Sequence, residues 1–118
     1  MWIVLNDSYL SIVAVEGEPS IKLVRARLQD DIKNVFPNAE VLVTEERDYL
    51  FRAYIPTKTV SEVIAKRINE IDYTNFKDSV KSSDYERKLA YSRIWGIMFD
   101  LQERLFARAP WYLNYRNW

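Results

Sequence analysis

The feature that most constrains the fold is a series of short apolar segments, rich in β-branched residues, that are separated by turn-forming residues. Residues 2–5 and 9–15 are two such segments, and the Asn-Asp-Ser sequence at 6–8 between them favours a tight turn. This pattern predicts a β-hairpin at the start of the chain. A second turn at 16–19 and an alternating segment at about 21–28 predict a third strand.

A short helix is predicted after the third strand. Apolar residues recur at helical spacing over about 29–36, and Pro37 ends the pattern. Two further strands are predicted at about 40–45 and 49–55, joined by a charged turn. The first half of the chain is therefore predicted to contain both β-strands and a helix.

The second half has the periodicity of helices. Thr59 with Glu62, and Ser83 with Glu86, fit capping boxes at the starts of a second helix and of a long helix over about 84–106. The apolar face predicted for the second helix consists of Val60, Val63, Ile64, Ile68 and Ile71. The inward face predicted for the long helix consists of Ile94, Ile97, Met98, Leu101 and Leu105.

The order β-β-β-α-β-β-α-α predicts an α+β protein, with helices packed on one face of an antiparallel sheet and a ferredoxin-like core. We expect residues 1–109 to form a single α+β domain, followed by an aromatic tail at 110–118. No apolar run approaches the roughly 20 residues that span a membrane, so no contact with a membrane is expected. The start of the chain lacks the basic segment of a signal peptide, which favours the cytoplasm.

Composition excludes several kinds of chemistry. The chain has no histidine and no cysteine, so a Ser-His-Asp triad, a Cys-His pair, a zinc site and a disulfide are all impossible within it. With only Gly17 and Gly96, it also lacks the glycine-rich loops that bind phosphate. Basic and acidic residues number 17 each, which gives no global attraction to nucleic acid. We therefore expect a protein without enzymatic activity, without a metal and without a cofactor.

Several segments resemble a known family. The chain begins Met1-Trp2, and Asp72-Tyr73-Thr74-Asn75-Phe76-Lys77 follows the second predicted helix. Residues 23–27, 48–52 and 94–98 add to the likeness. Together these segments resemble a family of short bacterial hypothetical proteins that begin Met-Trp and contain an Asp-Tyr-x-Asn-Phe-Lys motif, over about residues 1–103. The resemblance implies a shared fold and, because no activity is known for that family, neither a reaction nor a ligand.

The first candidate site is a basic and aromatic sheet face. Alternation places four residues on one face of the third and fifth strands: Arg25, Arg27, Arg52 and Tyr54. Arginine pairs with phosphate and tyrosine stacks on bases, so this face is a candidate for binding single-stranded RNA or DNA. The other interpretation is a solvated face whose arginines pair with Glu40, Glu45 or Glu46 across the strands.

The second candidate is the polar segment after the second helix. Four of its residues are candidates for binding: Asp72, Tyr73, Asn75 and Lys77. For acid–base catalysis the only clustered set is Asp72, Tyr73, Lys77 and Asp78. The two carboxylates could also bind a hard cation, but the segment lacks the glycine of calcium-binding loops. The structural alternative is that Asp72 or Thr74 caps a short turn, while Tyr73 and Phe76 anchor it to the core.

The third candidate is the aromatic C-terminal end. Tyr91, Trp95 and Phe99 follow one another at intervals of four on the last helix, which suits either core packing or an interface. The tail adds Trp111, Tyr112, Tyr115 and Trp118. It either folds back over these rings or binds a partner, since Trp, Tyr and Arg are enriched at binding hot spots. The leading hypothesis is a small protein–protein interaction module, an adaptor or an inhibitor of the kind phages use against host systems, with a partner protein or a second copy bound there.

Overall fold

The structure is a computed structural model and describes residues 1–107. Its strands are β1 (Trp2–Val4), β2 (Tyr9–Ala14), β3 (Ile21–Ala26), β4 (Leu42–Val43) and β5 (Phe51–Pro56). Its helices are α1 (Asp31–Val35), α2 (Thr57–Asn69), α3 (Phe76–Ser79) and α4 (Tyr85–Ala107). The predicted α+β class is confirmed, and the order of elements is roughly consistent with a ferredoxin-like arrangement. The four-residue helix α3 is the one addition to the predicted order.

The chain divides into two compact units, Met1–Thr74 and Asn75–Trp118. The first unit contains the whole sheet with α1 and α2, and the second contains α3 and α4. A single domain over 1–109 stays a prediction, and the predicted tail at 110–118 lies outside the described residues.

All strand pairs of the first unit are antiparallel, and the strand order across the sheet is β1-β2-β3-β5-β4. The predicted hairpin of β1 and β2 is present, and its turn is closed by a hydrogen bond of 2.8 Å from the Leu5 amide to the Ser8 carbonyl. Strand β4 has only two residues rather than the predicted six. Thr44 ends it, because its amide and its hydroxyl both donate to the backbone of the following turn, to Leu50 and Tyr49.

One face of the sheet forms the core. Leu10, Val24 and Ala53 come from three neighbouring strands and are completely buried. The helices α1 and α2 cover this face with four further buried side chains, those of Ile32, Val35, Phe36 and Val60. Within residues 1–74 the predicted packing of helices on one face is therefore confirmed, and the opposite face is left for polar and aromatic side chains.

Helix α2 begins three residues earlier than the capping box predicts. Its N-cap is Pro56, and no side chain caps it, so the prediction that Thr59 and Glu62 form a capping box is wrong. Thr57 instead donates its hydroxyl to the Pro19 carbonyl at 2.9 Å and accepts from Lys22 Nζ at 2.9 Å. These bonds fix the first turn of α2 against the turn that precedes β3.

The apolar face of α2 is shorter than predicted. Val60 is buried and Val63 and Ile64 are partly buried against the core. Ile68 and Ile71 are 62% and 51% exposed, and Ile71 lies beyond the end of the helix. The last turn of α2 therefore extends past the edge of the core.

In the second unit, α4 matches its predicted bounds but not its predicted environment. The helix begins at Tyr85, and the Asp84 side chain just before it accepts from Arg87 Nε at 2.7 Å. The capping box of Ser83 with Glu86 stays a prediction. The five side chains predicted to face inward are 37–65% exposed: Ile94, Ile97, Met98, Leu101 and Leu105. The prediction of an inward stripe on this helix is therefore wrong for the described part of the chain.

Candidate functional site

The face of the sheet opposite the core contains a row of paired residues. Ser11 of β2 lies opposite Arg25 of β3, and Arg25 lies opposite Arg52 of β5. Trp2 and Leu42 extend the row to the edge strands. Cross-strand partners project from the same face of a sheet, so two arginines lie side by side in its middle.

Arg25 and Arg27 share one aromatic ring. Their guanidinium carbons lie 4.6 and 4.2 Å from the centroid of Tyr49, which is buried beneath them. Arg25 also donates from Nη2 to Ser11 Oγ at 2.7 Å. Arg27 donates to Asp48 Oδ1 at 3.2 Å, and this hydrogen bond raises the pKa of Arg27, so the guanidinium stays charged.

The predicted acidic partners of these arginines are not the ones found. Glu40, Glu45 and Glu46 are exposed and form no ion pair within residues 1–107, whereas Asp48 pairs with Arg27. Sequence reasoning missed both Asp48 and Tyr49 as members of this face. The dipeptide follows the charged turn, where an acid and a ring can fold back over β3, but spacing alone does not show the direction in which they point.

Arg52 differs from the other two arginines. Within residues 1–107 its guanidinium makes no hydrogen bond and no ion pair, and its Nε is buried, as is the equally unbonded Nε of Arg25. Like charges directly opposite one another on a sheet repel. The five strands contain no acidic residue that could offset this repulsion. The pair is a local concentration of positive charge in a unit that has 9 basic and 12 acidic residues.

Exposed rings flank the arginines. Tyr54 lies two residues after Arg52 on the same face and is 57% exposed. Trp2 is 71% exposed and packs against Tyr9, with ring centroids 6.2 Å apart. The structure thus brings the predicted sheet-face residues together. We call this surface the arginine face, and it consists of Trp2, Tyr9, Arg25, Arg27, Tyr49, Arg52 and Tyr54.

The surroundings of Tyr9 on this face shift the pKa of its phenol. Burial raises the pKa of the Tyr9 phenol above its usual value, and the neighbouring Tyr49 phenol raises it further. The charge of Arg27 acts in the opposite direction without cancelling the increase. Ionising Tyr9 therefore costs free energy in the folded chain.

The predicted polar segment is divided between the two units. Asp72 and Tyr73 line a cleft of about 560 Å³ in the first unit, together with Ile64 and Ile68 of α2. The cleft walls are mainly apolar, and within residues 1–74 the structure shows no convergence of catalytic groups on Asp72.

The other half of the segment begins the second unit. Asn75 accepts from the Asp78 amide at 3.3 Å and so caps α3, which makes the predicted capping by Asp72 or Thr74 wrong. Asn75 and Lys77 line a groove of about 560 Å³. The remaining walls of this groove come from Phe76, Val80, Lys88, Tyr91, Ser92 and Trp95.

Three aromatic residues of α4 take part in two stacked ring pairs, one of which includes Phe76 of α3. Tyr91 stacks on Phe76 with centroids 5.8 Å apart, and Trp95 stacks on Phe99 at 5.3 Å. Trp95 and Phe99 are 68% and 44% exposed, so this second pair lies at the surface. The tail positions Trp111, Tyr112, Tyr115 and Trp118 lie outside the described residues.

Residues 1–107 contain neither a candidate metal-binding cluster nor a candidate membrane-spanning helix. No group of three or more carboxylates converges there in a way that could hold a metal ion. No helix in the same range has both the length and the apolar character needed to cross a bilayer.

Comparison of the chain with protein-family models, with curated proteins and with solved structures gave no significant match. The resemblance to the Met-Trp family stays a prediction.

Proposed function

We propose that this chain is a cytoplasmic protein–protein interaction module, an adaptor or inhibitor without enzymatic activity, and that α4 is its contact surface. The observation that supports the proposal is the exposure of apolar side chains along this helix. Nine of its 23 residues are large hydrophobics at least 37% exposed: Tyr85, Leu89, Ile94, Trp95, Ile97, Met98, Phe99, Leu101 and Leu105.

Such a surface is unusual for a helix that faces only water. Contiguous exposed apolar patches of this kind mark interaction sites, because burying them against a partner removes apolar area from water. The rings of Trp95 and Phe99 already stack on each other, with centroids 5.3 Å apart. A partner would therefore contact a preformed aromatic surface. Rigid aromatic anchors are the typical hot spots of an interface.

The charge of the second unit indicates the kind of partner. Residues 75–118 include 8 basic and 5 acidic residues, in contrast to the acidic excess of the first unit. Lys77 and Lys88 lie at the groove next to Trp95. A partner with an apolar centre and an acidic rim would therefore complement this surface.

The test compares Met98→Asp with Ser82→Asp, which adds the same charge to the second unit outside α4. Both positions are exposed, Met98 by 56%, so neither substitution removes a core side chain. We expect the wild type and Ser82→Asp to bind a partner protein or to self-associate, measured by quantitative affinity capture and by sedimentation velocity. Met98→Asp should lose that binding, because a carboxylate would be desolvated in the interface.

Two results would contradict the proposal. One is a wild-type chain that remains monomeric and retains no partner. The other is equal binding by the two aspartate variants. The predicted role of the aromatic tail is tested separately by deleting 110–118, which should weaken the same association while the circular dichroism spectrum is unchanged.

A further inference from the structure

We infer that the arginine face is a second, independent binding site, and that its ligand is single-stranded RNA or DNA. The site lies in the first unit, whereas the surface proposed for protein binding lies in the second. Either proposal can therefore fail without the other.

Arg52 carries a charge that nothing in the described residues balances. Its guanidinium has no hydrogen-bond acceptor and no acidic partner within residues 1–107, and it lies directly opposite Arg25. Like charges directly opposite one another on a sheet are destabilising. An anion next to the two guanidinium groups would offset this repulsion.

The donors on this face indicate the chemistry of the anion. Guanidinium groups bind phosphate and carboxylate oxygens through paired N–H donors. The Nε atoms of Arg25 and Arg52 are buried, but Arg52 is partly exposed and its Nη groups make no hydrogen bond within residues 1–107, so these are the donors that an oxyanion can reach. Arg27 is already paired with Asp48, and it contributes charge to the site rather than a vacant donor.

The exposed rings favour nucleic acid over a simple anion or an acidic peptide. They flank the arginines, Tyr54 on β5 and Trp2 on β1, and Trp2 is three strands from Arg52 in the same row. With strands about 4.8 Å apart, these groups extend over roughly 14 Å of the sheet. Stacking planes and cations side by side on one face of a sheet suit the bases and phosphates of an unpaired strand.

The experiment measures fluorescence anisotropy of a labelled single strand of about ten nucleotides, titrated with the full chain at several salt concentrations. We expect binding at low salt that weakens as salt rises. Arg52→Met keeps the aliphatic stem and removes the charge, so it should weaken binding and reduce the slope of log K against log salt by about 0.7.

The matched control is Lys58→Met. Lys58 is 86% exposed on α2, the helix that covers the core face of the sheet, and its removal changes the net charge by the same amount. The Lys58→Met variant should bind the single strand with the affinity of the wild type. Tyr54→Ala should bind about tenfold more weakly, since base–aromatic stacking supplies about that factor.

Four results would overturn the inference. They are the absence of binding to the single strand at low salt, equal loss in Arg52→Met and Lys58→Met, duplex binding as tight as single-strand binding, and equally effective competition by poly-glutamate. The last result would assign the arginine face to acidic peptides instead. Thermal unfolding of each variant checks that the fold is retained. We expect this for Arg52→Met, because the guanidinium makes no hydrogen bond within residues 1–107.

Discussion

Arg67 of α2 donates from Nη2 to Asp7 Oδ2 at 2.8 Å and so joins two segments that are 60 residues apart in the chain. The same nitrogen donates to the Asn34 carbonyl at 3.1 Å, and Asn34 Nδ2 donates to the Asp7 carbonyl at 2.9 Å. The Arg67 and Asp7 side chains are 24% and 37% exposed, which limits competition from water. This triangle fixes the β1–β2 turn, α1 and α2 against one another.

We expect Arg67→Met to lower the free energy of unfolding by about 1–3 kcal/mol, because two acceptors lose their donor. Asp7 Oδ1 is already buried without a partner, so the carboxylate has little to replace the lost bond. Urea unfolding followed by circular dichroism measures the effect.

Lys66→Met is the control for that measurement. Lys66 lies next to Arg67 on α2 and pairs with Glu70 at 3.4 Å, but both side chains are more than half exposed. Such a pair contributes about 0.5 kcal/mol or less. Equal losses in the two variants would show that the Arg67 triangle has no special role in stability.

The core makes a second prediction. Leu10 is completely buried at the centre of the hydrophobic cluster, so Leu10→Ala should cost about 2–5 kcal/mol through lost burial and the cavity left behind. Leu42 is 44% exposed on the edge strand β4, and Leu42→Ala should cost about 0.5 kcal/mol or less. Chemical denaturation measures the free energy of unfolding of both variants. A similar loss for Leu10→Ala and Leu42→Ala would show that Leu10 is not part of the core.

The sheet was predictable because alternation and turn residues are local properties. Strands β2 and β3 need only the pattern of neighbouring residues to be recognised, and the alternation also places Arg25 and Arg52 on the face away from the core. The capping box predicted at Thr59 and Glu62 failed because such local hydrogen bonds compete with tertiary ones. Thr57, two residues earlier, is held by Pro19 and Lys22, and this sets the start of α2.

Contacts between distant segments were not predictable in the same way. Tyr49 lies under Arg25 and Arg27 because the 44–50 turn folds back over β3, and no spacing rule gives that direction. On α4, periodicity shows which side chains share a stripe but not what covers it. The exposure of Ile97 and Met98 is therefore a property that only the structure gives.

A third prediction concerns alkaline pH. The pKa of Tyr9 in the folded chain lies above its value in the unfolded chain, mainly through burial. Between the two pKa values the unfolded chain has released the proton and the folded chain has not, so stability falls as the pH rises above about 10 and is unaffected below that. Tyr9→Phe should reduce this fall.

Urea midpoints measured from pH 8 to pH 11 test the Tyr9 prediction. Tyr85→Phe is the control, since it removes a phenol that is 66% exposed and leaves Tyr9 in place. The control should keep the alkaline decline of the wild type. An unchanged decline in Tyr9→Phe would assign the effect to other groups.

The two glycines of the chain make a fourth prediction, in which the same substitution has opposite effects. Within residues 1–107, a Cβ added at Gly17 or at Gly96 would lie more than 4 Å from every atom outside its chain neighbours and, for Gly96, the backbone of its own helix, so packing does not decide either outcome. Gly96 lies inside α4, where alanine is favoured by about 1 kcal/mol, and Gly96→Ala should stabilise the chain. Gly17 has φ +76°, where a side chain costs about 1–2 kcal/mol, and Gly17→Ala should destabilise it.

Thermal unfolding of the two alanine variants tests the signs, and shifts in the same direction would contradict the backbone argument. Gly96→Ala also bears on the proposed role of α4. A glycine in mid-helix lowers stability, and among residues 1–107 no packed neighbour of Gly96 requires a residue without a side chain. If a partner approaches the helix backbone there, Gly96→Ala should raise the melting temperature and weaken the association measured by sedimentation. An association that is unchanged would place the contact on the sides of α4 away from Gly96.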